Sequence, residues 1–195
     1  MHKIVLASKS PRRKELLQNI GVSFSVCVTD TDESIVPKNL NPGLYVCELS
    51  LLKANAAAKV CDKDTFIVGA DTVVVDADGN IIGKPADKED AFNILMSLSG
   101  KVHSVYTGVT VVDTNDMHAV SRYEKTDVTF RKLSEKEIIH YIDSCNVLDK
   151  AGAYGIQDYA GVFVSRIEGD YFNIVGLPLC LLATMISNEF GEELI

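Results

Sequence analysis

The apolar run Ile4-Val5-Leu6 gives way at once to a polar turn, and that contrast predicts a buried strand over residues 3–7 followed by a helix. Ser10 occupies the N-cap position and Pro11 the first helical position, with Gly21 placed to end the helix. Beyond it Val22, Phe24, Val26 and Val28 alternate with Ser23, Ser25, Cys27 and Thr29, the period of a half-buried strand. Asn41-Pro42 opens a second helix over residues 42–60, with Tyr45, Leu49, Leu52 and Ala56 at helical spacing.

Residues 65–76 hold two apolar runs, Phe66-Ile67-Val68-Gly69-Ala70 and Val73-Val74-Val75, interrupted by Asp71-Thr72. A turn at Asp78-Gly79-Asn80 leads through the short strand Ile81-Ile82 into Gly83-Lys84-Pro85. An amphipathic helix over residues 87–98 carries Ala91, Ile94, Leu95 and Leu98 on one face. Two strands rich in Val, Thr and Tyr, residues 102–113 and 117–131, predict a hairpin through Thr114-Asn115-Asp116. Ser134 and Glu137 form a capping box for a helix bearing Ile138, Ile139, Tyr141 and Ile142. Val162-Phe163-Val164 reads as a strand, and Val175-Gly176-Leu177-Pro178 opens a last helix through Ile186, with residues 188–195 expected to fray.

A chain of 195 residues, 47% hydrophobic and 24% charged, is large enough for one domain over residues 1–195 around a substantial core, divisible into two lobes. A formal net charge of −8 argues against a general nucleic-acid binder, which needs a basic face. The five cysteines show no CxxC or Cys/His spacing, which suits a reduced, cytoplasmic setting without structural zinc. No stretch has the make-up of a signal peptide or of a membrane span.

Against that acidic background the local cations carry information. Ser8, Ser10, Arg12 and Arg13 gather where a helix begins, and free backbone N–H groups there favour an anion, phosphate above all. Cations in a first helical turn oppose the macrodipole unless an anion offsets them. Asp71 is a lone carboxylate in an apolar strand, costly to bury unless paired, hydrogen-bonded or metal-bound, and it is the foremost catalytic candidate. Lys53 either edges a cleft or snorkels from its helix, and Lys84 stands just past a strand end. Glu33 lies in the acidic segment Asp30-Thr31-Asp32-Glu33-Ser34, which reads as a solvated loop or as the metal-facing edge of a site, the loop being the commoner case. Residues 149–157 are glycine-rich yet apolar, suited to wrapping a ligand, and Gln157 has both a donor and an acceptor for reading a base edge.

The blocks Ala7-Ser8-Lys9-Ser10-Pro11-Arg12-Arg13-Lys14-Glu15-Leu16-Leu17, Gly69-Ala70-Asp71-Thr72-Val73, Gly83-Lys84-Pro85, Leu98-Ser99-Gly100, Lys150-Ala151-Gly152-Ala153-Tyr154-Gly155-Ile156-Gln157 and Val175-Gly176-Leu177-Pro178 together resemble the successive motifs of Maf proteins. The resemblance implies a two-lobed α/β, inosine-triphosphatase-like fold, an elongated mixed sheet flanked by helices with a nucleotide cleft between the lobes, and a homodimer. It implies hydrolysis of a nucleoside triphosphate to the monophosphate and pyrophosphate with a divalent metal cation, Mg²⁺ or Mn²⁺, and within the family it points to the dTTP and UTP branch. On that resemblance Asp71 is the proton acceptor, Arg12, Thr72 and Gln157 govern base selectivity, Lys53 and Lys84 are cleft lysines, and Glu33 is a cleft carboxylate with a metal role.

The residue chemistry is compatible with this: Ser8, Ser10, Arg12, Arg13, Lys53 and Lys84 are suited to phosphate oxygens, and Asp71 to activating water or holding the metal. Absence of GxxxxGK[ST] and GxGxxG runs argues against a P-loop ATPase and a dinucleotide-binding dehydrogenase. The rival class is a nucleotide-sensing regulator of cell division with little or no catalysis.

Overall fold

The computed structural model describes residues 2–195. Seven strands form one mixed sheet in the order β2-β1-β3-β5-β6-β7, with β4 paired to β3. The strands are β1 (Lys3–Leu6), β2 (Phe24–Val26), β3 (Thr65–Val75), β4 (Ile81–Ile82), β5 (Val102–Asp113), β6 (Ala119–Phe130) and β7 (Val164–Glu168). The helices are α1 (Pro11–Asn19), α2 (Pro42–Ala58), α3 (Lys88–Leu98), α4 (Glu135–Ser144), α5 (Tyr171–Val175) and α6 (Leu179–Phe190). The chain divides into two compact units, the first comprising Met1–Asp71, Thr107–Glu124 and Gly176–Ile195, the second Thr72–Tyr106 and Lys125–Val175.

In the first unit β1 lies parallel between β2 and β3, with Leu6 in register with Val26 on one side and Val68 on the other. Helix α2 presses on the sheet at two glycines: a Cβ on Gly69 would lie 2.3 Å from the Ser50 carbonyl, and one on Gly108 would lie 2.3 Å from that of Val46. So close an approach demands small residues on both sides, and Ala54 and Ala57 are fully buried there with Val5, Ala7, Ile67 and Val112. The buried stripe of α2 therefore runs through Gly43, Val46, Ser50, Ala54 and Ala57, whereas Leu52 and Ala56 of the expected face are only half-buried.

Two further expectations change in this unit. The alternating segment after Gly21 forms only the three-residue edge strand β2, and Val26 and Val28 are about 40% exposed because that edge packs little beyond its pairing with the short β1. The C-terminal segment is anchored: the His2 N–H donates to Glu192 Oε2 at 3.0 Å, His2 Nδ1 lies 2.6 Å from Glu192 Oε1, and Leu194 is buried.

In the second unit α3 and α4 close over the sheet, burying Leu95, Leu98, Phe130, Ile138, Tyr141, Tyr154 and Phe163 in one core. Strand β4 turns back antiparallel on β3, and β7 pairs antiparallel with β6. The capping box forms as expected, Ser134 and Glu137 each accepting from the other's backbone. Val162 and Phe163 belong instead to a 3-10 turn, Tyr159–Phe163, so the strand starts at Val164. The short α5 precedes the last helix, and from it Asn173 Nδ2 donates to the Val105 carbonyl at 3.0 Å and to Thr126 Oγ1 at 2.9 Å.

Candidate active site

Asp71 sits within β3, which runs through Asp71 and Thr72 without the expected break. Strand alternation puts Asp71 on the face of Gly69, the face met by α2, and α2 supplies the partner. Lys53 Nζ is in direct contact with Asp71 Oδ1 and lies 2.9 Å from Glu33 Oε1. Lys53 and Asp71 are largely shielded from water, whereas Glu33 is half-exposed. The lone carboxylate of the sequence is thus paired, as its burial requires, and Glu33 in the 3-10 turn Glu33–Ile35 shares the same ammonium. In the sequence Tyr45 is marked only by its helical spacing with Leu49, Leu52 and Ala56. Its phenol is pushed above the ordinary range by burial first, and then by the negative charges of Asp71 and Glu33, so it shares their field from about two turns before Lys53 on α2.

The start of α1 is built around Arg13. Ser10 caps the helix through a long contact to the Arg13 N–H, 3.5 Å, and Ser8 Oγ accepts from the Ser10 N–H at 3.2 Å. Arg13 Nη1 donates to Ser8 Oγ at 3.0 Å and to the Ala70 carbonyl at 2.9 Å, while Nε donates to the Gly176 carbonyl at 2.7 Å. Burial lowers the Arg13 pKa from its ordinary value, Asp71 opposes that, and the neighbouring Arg12 reinforces it. Ser8, itself buried, accepts two hydrogen bonds, so its hydroxyl proton is the part left to donate to an anion.

Ser8, Ser10, Arg12, Arg13, Glu33, Lys53 and Asp71 therefore all belong to the first unit. Thr72, Lys84 and Gln157 belong to the second. Thr72 is half-buried in β3, Lys84 is exposed beyond β4, and Gln157 is exposed in a turn. The backbone carbonyls of Ala70 and Gly176 are structural members of the site that no residue pattern points to, since any residue type supplies a carbonyl.

For a divalent cation, Glu33 and Asp71 offer hard oxygen donors already converging on one positive charge. Among the described residues no group of three or more His, Cys, Asp or Glu side chains could hold a metal. Two carboxylates would suit Mg²⁺ or Mn²⁺ only with other oxygen donors supplied from outside the chain, and would not form a closed protein cage.

A family model, that of the Maf-like proteins, matches residues 3–189. The chain belongs to the Maf family. The matched span takes in every Maf-like block named above. Similar proteins include the dTTP/UTP pyrophosphatase of Thermoanaerobacter sp. (strain X514), 47% identical over 193 residues, 99% of this chain and 100% of that one. That of Alkaliphilus metalliredigens (strain QYMF) is 47% identical over 195 residues, with 100% of both chains covered. That of Clostridium novyi (strain NT) is 46% identical over 177 residues, 91% of this Maf chain and 92% of the relative. Among solved structures, a HAM1 protein from Coxiella burnetii superposes partially, with a TM-score of 0.43 and 19% identity over 67% of this chain and 73% of that one. No helix among the described residues is long and apolar enough to cross a membrane.

Proposed function

We propose that this protein hydrolyses dTTP and UTP between the α- and β-phosphates, releasing the nucleoside monophosphate and pyrophosphate. The observation that carries the reading is the Lys53 ammonium held between Asp71 and Glu33 in the unit that also presents Ser8 and the N-terminus of α1. Full-length Maf relatives bearing the name dTTP/UTP pyrophosphatase supply the substrate class.

The reaction places a water oxygen on phosphorus while negative charge grows on the departing pyrophosphate. Donors preorganised for that charge are the largest source of acceleration. The Ser8 hydroxyl and Lys53 are suited to the phosphate oxygens, whereas at the start of α1 the Ser10 and Arg13 N–H groups are taken by Ser8 and Ser10 and Pro11 has none. Asp71 takes the proton of the attacking water, and its contact with Lys53 orients the carboxylate. Arg13 holds the frame, because its Nε and one Nη are committed to Gly176, Ser8 and Ala70. Glu33 and Asp71 would hold a Mg²⁺ or Mn²⁺ ion. Such an ion supplies neutralisation of phosphate charge and polarisation of the scissile anhydride. Gln157 and Thr72 in the second unit, with Arg12, are assigned to base selectivity, and Lys84 to the phosphates.

The test is a panel of nucleoside triphosphates with Mg²⁺, Mn²⁺ or a chelator, scored for each product. Monophosphate and pyrophosphate from dTTP and UTP, lost on chelation and restored by either metal, is the expected result. Orthophosphate with a diphosphate would overturn the bond assignment, and nucleotide binding without any product would favour the sensing regulator.

A further inference from the structure

The second unit contains a buried cation that the proposed chemistry does not use. The Lys150 side chain is 9% exposed, and its Nζ contacts the Asn146 carbonyl, lies 3.3 Å from Asp149 Oδ1 and lies 3.4 Å from Asp158 Oδ2. Between Lys150 and Asp158 the backbone winds tightly, with Gly152 and Ala153 both in the left-handed region at φ 68° and 62°. The segment is wrapped onto the ion pair itself: a Cβ on Gly155 would lie 2.7 Å from Asp158 Oδ2 and 2.8 Å from Lys150 Cε. Helix α4 locks it from outside, since Tyr141 Oη donates to Asp158 Oδ1 at 3.3 Å and accepts from the Gly155 N–H at 3.2 Å. Asp158 also accepts from the Ala160 N–H at 3.3 Å, starting the next turn. Gln157, one residue before Asp158, is exposed, and its amide makes no hydrogen bond among the described residues.

We propose that Lys150, Asp158 and Tyr141 are a clasp that fixes where Gln157 stands, making them positioning residues for base selectivity. The inference rests on the reading of Gln157 as the base contact. A loop of this length can be closed by apolar contacts alone. An ammonium taken out of water and fitted against two carboxylates and a carbonyl constrains geometry far more narrowly, because its desolvation is offset only in that arrangement. The constraint is placed on the backbone that carries an uncommitted amide, so the ordering of Gln157 is completed before a base arrives and is not charged against binding. Selectivity, not the chemical step, is what such a clasp controls.

Three variants, Lys150→Met, Tyr141→Phe and Gln157→Ala, would be compared on dTTP, on GTP and on deoxyribose 5-triphosphate, which keeps the anhydride and lacks a base. Lys150→Met is expected to raise the KM for dTTP about tenfold with kcat within about twofold, and to lower the dTTP-to-GTP ratio of kcat/KM about tenfold. Turnover of the base-free triphosphate stays as in wild type. Tyr141→Phe, which removes one hydroxyl and keeps the ring, shifts the same ratio about threefold, and it carries the test if Lys150→Met fails to fold. Combining Lys150→Met with Gln157→Ala adds nothing to Gln157→Ala. An equal loss on all three substrates in Lys150→Met, or an unchanged ratio in folded Tyr141→Phe, overturns the clasp while leaving the base reading in place. An unchanged ratio in Gln157→Ala overturns that reading, and the clasp with it.

Discussion

Arg13 donates from Nε to the carbonyl of Gly176 at 2.7 Å, tying the first turn of α1 to the chain that enters α6. With Nη1 on Ala70 and Ser8, one planar group holds three segments of the first unit around Asp71. A lysine has no fork to reproduce this geometry. Arg13→Lys should therefore lose about 2–3 kcal/mol of stability in urea unfolding. Pyrophosphate release from dTTP should fall at least about 100-fold in the folded fraction, since misplacing reacting groups by an ångström is that costly. Retained activity at reduced stability would separate the scaffold role from the chemistry.

Asp71→Asn preserves volume and leaves Lys53 paired with Glu33, so the fold should hold, with a melting temperature within a few degrees of wild type. Asn cannot serve as the proposed proton acceptor, so pyrophosphate release should fall by about 10³-fold or more. A product assay on the folded variant decides it, and wild-type turnover would remove Asp71 from the reaction.

The contact of α2 with the sheet makes a sharp steric prediction. Gly69→Ala and Gly108→Ala each drive a methyl to 2.3 Å from a helix carbonyl, and each should cost about 1–3 kcal/mol or more through displacement of α2, which carries Lys53. Gly83→Ala meets nothing within 4 Å and needs no left-handed backbone, so it should stay within about 0.5 kcal/mol of wild type. Thermal melts of the three proteins check the ranking.

His103 supplies the pH dependence. It is 1% exposed, its Nε2 lies 2.9 Å from Tyr154 Oη, and its Nδ1 has no hydrogen-bond partner among the described residues. Burial pushes its pKa down from 6.5 to about 4, with Asp127 opposing. The unfolded chain then binds a proton more readily than the folded one between these values. This contribution to stability is complete above pH 6.5 and is lost as pH falls through about 4. The loss amounts to about 3 kcal/mol at 1.36 kcal/mol per pKa unit. Urea midpoints at pH 7 and pH 4.5 should show a smaller drop in His103→Asn than in wild type, and equal drops would assign the acid sensitivity elsewhere.

Much of the site's local architecture is legible in the sequence. Caps are chemistry within four residues, so Ser10-Pro11, Asn41-Pro42 and the Ser134–Glu137 box announce their helices correctly. Asp71 stands out because a carboxylate among buried aliphatic residues demands a partner. The identity of that partner is not legible. Lys53 is 18 residues away on a helix whose composition, small and apolar nearly all round, leaves its buried face undefined by periodicity. By its residue pattern Glu33 reads as a solvated-loop acid or the metal-facing edge of a site, the loop being the commoner case, and only the fold of that loop brings it to Lys53. The strand after Gly21 falls short for a related reason: alternation reports a pattern that suits a sheet, but not whether the strand lies at an edge.

By itself the sequence determined the caps, most strands and helices, the isolated carboxylate and the Maf-like blocks, because each is a matter of neighbours along the chain. Only the tertiary structure decided what Arg13 does and which face of α2 is buried. Besides the nearby Ser8 hydroxyl, Arg13 donates to carbonyls 57 and 163 residues distant, which carry no residue identity, and the face of α2 is chosen by how closely two glycines of the sheet allow it to approach.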